Sequence, residues 1–388
     1  MRILHVIPTV APCYGGPSEA VRHMTSALAR RGIEVHIATT TGSGEVELDV
    51  PVGIPVQEGD VIYHYFRRQA PKAWDFSWPL RQWLFAHIAD YDLAHIHAVF
   101  SFPTLAACWA GRRSHVPYVL RPLGTLDSWP LGRGWWKKWP YLYALERANL
   151  RQASAIHATS EMERRELARL RFVPRARVIP LGVPRPLTLE PRDRRTDGGF
   201  ALLFIGRLHP IKGLPLLLEA LGGLDSILES IRLVIAGSGD SAFTEELRRL
   251  CARLGLESQV EFCGFVSGDR KRRLLEEANA FILPSYHENF GLSAAEAMGF
   301  GLPVIVSDQV GLAHDIEKEA AGIVTRCDVV SIRNAIVRLA RNPTECQEMG
   351  RRGRAFVQEQ LTWERVATRL IDLYEDIIRI PRNRVRLN

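Results

Sequence analysis

Two hydrophobic periods alternate along the chain. Short apolar runs at residues 2–8, 34–39, 61–66, 93–97, 119–122 and 155–159 have the length and β-branched content of buried strands. Between the first two, Ala20, Val21, Met24, Ala27 and Leu28 recur at helical spacing until Gly32 stops the helix. The second half repeats the rhythm. Strands are predicted at 202–205, 232–236, 260–263, 280–283 and 303–306, with helices at 161–170, 214–221, 243–254 and 269–278. Strands that alternate with helices predict an α/β fold built on parallel sheets. From Thr362 onward, Trp363, Val366, Ala367, Leu370, Leu373, Tyr374, Ile377 and Ile378 share one apolar stripe, so this last helix must dock on a core.

The breaks in the pattern set the boundaries. Residues 42–60, rich in Gly, Pro and acidic side chains, are expected to form a mobile loop, and Pro184 to Gly198 reads as a Pro/Arg-rich connector. A chain of 388 residues exceeds one ordinary core. Two domains are expected: 1–183, with helix 362–380 packing back on it, and 184–361.

Charge is unevenly divided. Residues 1–190 carry 23 Lys and Arg against 16 Asp and Glu, and the remainder carries 27 of each, so the whole excess of +7 is N-terminal. A basic half suits an anionic partner, and no nucleic-acid-binding signature appears, which turns the expectation away from nucleic acid. The segment Gly132-Arg-Gly-Trp-Trp-Lys-Lys-Trp-Pro-Tyr-Leu-Tyr143 mixes aromatic and basic residues in the manner of a headgroup-level anchor, which makes an anionic membrane surface a candidate partner; packing between helices is the competing reading. The six cysteines lack any C-x-x-C pair and read as free thiols of a reducing compartment. Residues 1–8 read as a buried strand rather than a signal peptide, and no apolar run reaches membrane-spanning length, so a cytoplasmic protein, either soluble or peripheral at the inner face of the membrane, is expected.

Candidate chemistry gathers where strands end. Ser285 to Asp308 reads as loop, short helix, Gly turn and buried strand, with Glu288 in the loop and Glu296 eight residues on among small residues. Such a pair can mark a solvated helix face, but Ala294, Ala295 and Ala297 admit close approach, and a helix starting near Phe290 or Gly291 offers free N–H groups to an anion or hydroxyl-rich ligand. Gly206-Arg-Leu-His-Pro-Ile-Lys-Gly213 follows a strand and opens a helix, placing Arg207 and Lys212 to clamp one anion. Gly15-Gly16 follows the first strand without the full dinucleotide fingerprint. Asp90 and Asp92 lack the carboxylate cluster of a metal site. His95 and His97 are read as facing opposite sides of their strand and unable to share one zinc; His97, at the strand end, is the better ligand-facing candidate, with a packed structural His as the alternative.

Together these motifs resemble the GT4 family of retaining, nucleotide-sugar-dependent glycosyltransferases with the GT-B fold, two Rossmann-like domains facing across a cleft. The resemblance rests on the E-x7-E stretch Glu288 to Glu296, the run at 206–213, the glycines at 15 and 16, and the strand ending at His97. It implies that Gly206, Arg207 and Lys212 hold the donor diphosphate, Glu296 the ribose hydroxyls, and Glu288 with Asn289, Phe290, Gly291 and Leu292 the sugar and distal phosphate. Gly16 would approach the diphosphate from the other domain, His97 would touch the transferred sugar, and Gly264, Phe265 and Val266 would lie near the base. The acceptor is expected beside Gly15, Arg121, Gly124 and Asp127, although Leu123-Gly124 stands where the family has a His-Gly pair. The implied reaction is metal-independent, uses no cofactor, and moves a hexosyl group from a nucleotide sugar to a saccharide or lipid-linked acceptor. A nucleotide-sugar epimerase and a non-catalytic sugar-nucleotide binder are the competing readings.

Overall fold

The computed structural model describes residues 1–132, 134–174, 176–184, 199–224 and 230–379. Two compact units emerge, the first formed by Met1–Gly182 with the segment beginning at Trp363, the second by Val183–Thr362. From residue 185 the expected connector lies outside the described residues.

The first unit contains β1 (Arg2–Thr9), β2 (Glu34–Thr40), β3 (Gly42–Ser43), β4 (Val46–Glu47), β5 (Pro55–Glu58), β6 (Val61–Phe66), β7 (Leu93–His97), β8 (Tyr118–Arg121), β9 (Ala155–Ala158) and β10 (Ala176–Val178). Eight of them form one sheet in the order β10-β9-β8-β7-β1-β2-β6-β5, parallel except for the β5–β6 hairpin. Central strands buried on both faces explain the continuous apolar runs, as in β1, where Ile3, Leu4 and Val6 have no exposed surface. The helix Trp363–Arg379 belongs to this unit. Trp363 stacks on His23 with ring centroids 5.8 Å apart, and the Tyr374 hydroxyl reaches His95 Nδ1 at 2.7 Å.

The second unit contains β11 (Phe200–Ile205), β12 (Ile231–Ala236), β13 (Val260–Gly264), β14 (Ala280–Leu283), β15 (Val304–Ser307) and β16 (Gly322–Thr325). They form a six-stranded parallel sheet in the order β13-β12-β11-β14-β15-β16. Parallel pairing sends every C-terminal strand end to one edge, where open α/β sheets present their ligands.

Several expectations are corrected. The first helix begins at Gly16, four residues early, because Pro17 in its first turn lacks only an N–H that has no helical partner there. The segment 42–60 is not a structureless loop: it holds the β3–β4 hairpin and edge strand β5, turned by Gly59-Asp60. Arg68, 6% exposed, anchors that hairpin through Glu47 and the carbonyls of Gly44 and Val46. Strand β16 and the helices Ala313–Lys318, Val329–Arg341 and Pro343–Gln360 went unforeseen. In the aromatic segment, Trp74 Nε1 donates to the Tyr141 hydroxyl at 2.8 Å and Trp139 packs against the core, so these two rings are structural, while Trp135 and Trp136 stay 63% and 62% exposed.

Candidate active site

In the second unit the expected donor residues converge on one sheet edge. β11 and β14 are neighbours, and the Tyr286 N–H donates to Ile211 O at 2.8 Å, which brings the loop before Glu288 against the turn carrying Lys212. Lys212 Nζ pairs with the Glu288 carboxylate, their side chains 16% and 22% exposed. The turn closes this tightly because residue 213 is glycine: at φ +69° a Cβ would sit 2.0 Å from Pro284 O. Glu288 is further fixed by its backbone, which receives from Gly311 N–H at 2.8 Å and donates to Gln309 O at 3.0 Å.

The helix Leu292–Gly299 starts from Gly291, whose left-handed φ of 98° turns the chain at its N-cap. Ala294, Ala295 and Ala297 are fully buried beneath it, as their small size allows, and Glu296 is left on its accessible side. Both Glu296 oxygens lie 2.7 Å from Lys271 Nζ. Lys271 stands on the first turn of the helix Gly268–Glu277, which follows Gly264, Phe265 and Val266; Phe265 is 70% exposed and Val266 buried. Arg207, exposed at the end of β11, makes no ion pair among the described residues. Sequence reasoning missed Lys271. It also missed Gly237 and Gly239, where a Cβ would meet Gly206 O at 1.8 Å and Leu208 O at 2.0 Å; the Gly-Ser-Gly run after β12 was the available signal.

The first unit arranges its candidates differently. Gly15 and Gly16 are exposed after β1, and nothing lies within 4 Å of a Cβ built on either. His97, expected to face a ligand, is wholly buried in a layer with His5, His95, His157 and Arg121. Its ring is stacked 4.3 Å from that of His95. The opposite-face reading of this pair is therefore corrected: side chains alternate with period two, so residues i and i+2 share a face.

Hydrogen bonding orders the layer. Ile179 O can only accept, so His157 Nε2–H donates to it at 2.8 Å, His157 Nδ1 accepts from His95 Nε2–H at 3.2 Å, and His95 Nδ1 accepts from the Tyr374 hydroxyl at 2.7 Å. Arg121 Nη1 can only donate, so His97 Nδ1 accepts at 3.4 Å and His97 Nε2–H donates to His5 Nδ1 at 2.9 Å. All four rings are neutral in this scheme. Burial, then the Arg121 charge, holds His5 and His157 down at about 3, and burial pushes His95 and His97 the same way. Burial also lowers Arg121 to about 10.

His5, His95 and His97 are, among the described residues, a trio close enough to hold a metal ion, their ligand atoms lying within 4.8 Å of one another. The site's charge opposes it, because Arg121 already places a cation against His97 in a desolvated layer. Arg121 and Asp127, expected on the acceptor side, are each 1% exposed, so their side chains belong to the interior. Gly124 lies in a left-handed turn at φ 69°, held by donation of its N–H to Glu163 Oε1 at 2.7 Å. Burial raises the Glu163 carboxyl, which also accepts from Thr159.

Comparison with known proteins covers nearly the whole chain. A profile described as glycosyl transferase 4-like domain matches residues 15–182, and one described as glycosyl transferases group 1 matches residues 190–356. An uncharacterized glycosyltransferase of Methanocaldococcus jannaschii is 36% identical over 45% of this chain; the alignment spans 44% of that protein's length. A GDP-mannose:cellobiosyl-diphosphopolyprenol alpha-mannosyltransferase of Xanthomonas oryzae pv. oryzae is 26% identical over 98% of both chains. Among solved structures, the sucrose-phosphate synthase of Thermosynechococcus elongatus superposes with a TM-score of 0.76 at 23% identity, covering 97% of this chain and 98% of its own.

Proposed function

This chain belongs to the group 1, GT4-type glycosyltransferases and has their GT-B fold, and on that premise we propose that it transfers a hexosyl group from a nucleoside diphosphate sugar to a saccharide or lipid-linked acceptor with retention of configuration and without a metal ion. The observation that carries the reading is the strip Arg207, Lys212, Glu288 and Gly291–Leu292 on one sheet edge, where two cations and a helix N-terminus meet a carboxylate. Such a strip suits a diphosphate carrying a hydroxyl-rich sugar.

In this proposal the bond between the anomeric carbon and the diphosphate oxygen breaks, and Arg207 and Lys212 stabilise the departing charge. An acceptor hydroxyl attacks the oxocarbenium-like sugar from the same face and passes its proton to a leaving phosphate oxygen. Glu288, already paired with Lys212, positions sugar hydroxyls rather than forming a covalent adduct. His97 receives no sugar contact here, having no exposed surface.

The acceptor in the Xanthomonas protein's name is a diphosphopolyprenol. A lipid-linked acceptor in polysaccharide, glycolipid or envelope biosynthesis is the corresponding proposal for this chain, with Trp135 and Trp136 resting on an anionic membrane at its cytoplasmic face. No helix among the described residues is long and apolar enough to cross a membrane.

A panel of nucleotide sugars screened for raised melting temperature tests the donor class. Product analysis with a polyprenyl-diphosphate saccharide should then give a glycoside of the donor's own anomeric configuration, at a rate unchanged by EDTA. An epimerised nucleotide sugar without acceptor product would overturn the proposal. Co-sedimentation with anionic vesicles, lost in the double variant Trp135→Ser, Trp136→Ser, tests the membrane contact.

A further inference from the structure

The two glutamates eight residues apart are each paired with a lysine from a segment following a strand: Glu288 with Lys212 after β11, Glu296 with Lys271 after β13. The first pair joins residues already implicated in the chemistry. The second introduces a residue that neither the sequence motifs nor the proposed reaction uses.

We infer that Lys271 is a positioning residue for donor binding, holding the Glu296 carboxylate in the orientation that accepts the ribose hydroxyls; this rests on the nucleotide-sugar reading of Glu296. Two observations carry it. Lys271 Nζ is equidistant, 2.7 Å, from both carboxylate oxygens, which fixes the plane of the group rather than one atom of it. The pair is also shielded, with 24% and 11% of its side chains exposed, so its geometry is better kept than that of a surface ion pair.

The location adds a consequence. Lys271 sits seven residues beyond Gly264, on the helix that the Gly264–Val266 loop leads into, and the Lys271 N–H reaches back to Ser267 O at 3.4 Å. It therefore ties the segment expected at the base to the carboxylate expected at the ribose. A purely structural bridge between two helices would instead leave nucleotide recognition untouched.

Calorimetric titration of the full chain with UDP, GDP and ADP, and with the 2′-deoxy form of whichever binds tightest, separates the two roles. Wild type should prefer the ribonucleotide over its 2′-deoxy analogue. Lys271→Ala and Lys271→Gln should each weaken ribonucleotide binding about tenfold, the scale of one charge-assisted hydrogen bond, and should lose most of the preference for ribose. Lys271→Arg should restore much of both. In steady-state assays the change should fall on donor KM rather than kcat. Lys271→Ala and Lys271→Gln variants that bind both nucleotides like wild type would overturn the inference, provided that Glu296→Ala still weakens binding. If Glu296→Ala leaves affinity unchanged, or no nucleotide binds wild type, the reading of Glu296 itself fails and the inference with it.

Discussion

The two units of this chain handle buried charge in opposite ways. In the first, Arg121 lies fully desolvated among four histidines, with no carboxylate in ion-pair range among the described residues, and the histidines remain neutral because each can hydrogen-bond in that form. In the second, Lys212 and Lys271 each sit against a glutamate and remain partly open to solvent. A desolvated layer fixes geometry, since every ring has one workable tautomer, but it resists protonation and admits no ligand. Partly exposed ion pairs can exchange one partner for a phosphate or a diol at lower cost than a fully buried one, because their charges keep some contact with water. Under the proposed function, the contrast makes the lysine–glutamate strip the part that a ligand would open.

The largest expected effect tests the first half of this contrast. The unfolded histidine value is 6.5, and His5 and His157 are held at about 3 when folded. Between these limits the unfolded chain binds more protons, so stability is full above about pH 6.5 and is lost as pH falls toward 3. At pH 5 each of the two should cost about 2 kcal/mol. None of the three histidines in the second unit, His209, His287 and His314, is buried, so the transition that moves should be that of the first unit. Thermal melts followed by near-ultraviolet circular dichroism at pH 7.5, 6 and 5 check this, and a constant melting temperature would break the comparison.

Next comes the exchangeable strip. Lys212→Ala should lower turnover by roughly 10²-fold or more, the scale of losing a donor that stabilises developing charge. Arg207→Ala should act similarly, and because Arg207 is exposed its melting temperature should not change. Near-normal turnover in both variants would remove the diphosphate from this strip.

Much of the fold was legible because the central strands of both sheets pair in parallel and are buried, which writes a strand as one apolar run; 61–66, 93–97 and 280–283 are the observed strands to the residue. Polar edge strands carry no such run, so β5 and the three-residue β10 were invisible. At the site, Lys212 was legible from the Lys-Gly that closes its turn, a spacing with a steric cause. Lys271 was not, because a lysine in the first turn of a charged helix looks like any solvated residue, and its partner lies 25 positions away. The histidine layer was half-read: His95 and His97 were seen, but strand period was misapplied to them, His5 and His157 were missed, and nothing local announces that four rings from β1, β7 and β9 will meet.

A smaller effect sharpens the account of that layer. Tyr374→Phe keeps the ring and deletes the hydroxyl that donates to His95 Nδ1, leaving a buried acceptor unsatisfied at a cost of about 1–3 kcal/mol. Urea titration should show a lower midpoint at an unchanged slope. If stability is unaltered, the proposed tautomer chain does not end at Tyr374.

The smallest effect on stability belongs to Gly16, and it separates a ligand-binding glycine from a structural one. Gly213→Ala should destabilise the second unit, since its φ is +69° and a Cβ would strike Pro284 O at 2.0 Å. Gly16 has neither constraint: it begins the helix Gly16–Arg30, and a Cβ there meets nothing within 4 Å. Alanine is the better helix former by up to about 1 kcal/mol, so Gly16→Ala should melt at the wild-type temperature or slightly above. Under the proposed function, the absence of a side chain at this exposed helix start serves the close approach of a ligand to the backbone N–H groups. Gly16→Ala should raise donor KM several-fold while the fold is intact. An unchanged KM would take Gly16 out of the donor site, whereas a lowered melting temperature would show that the space around it is filled.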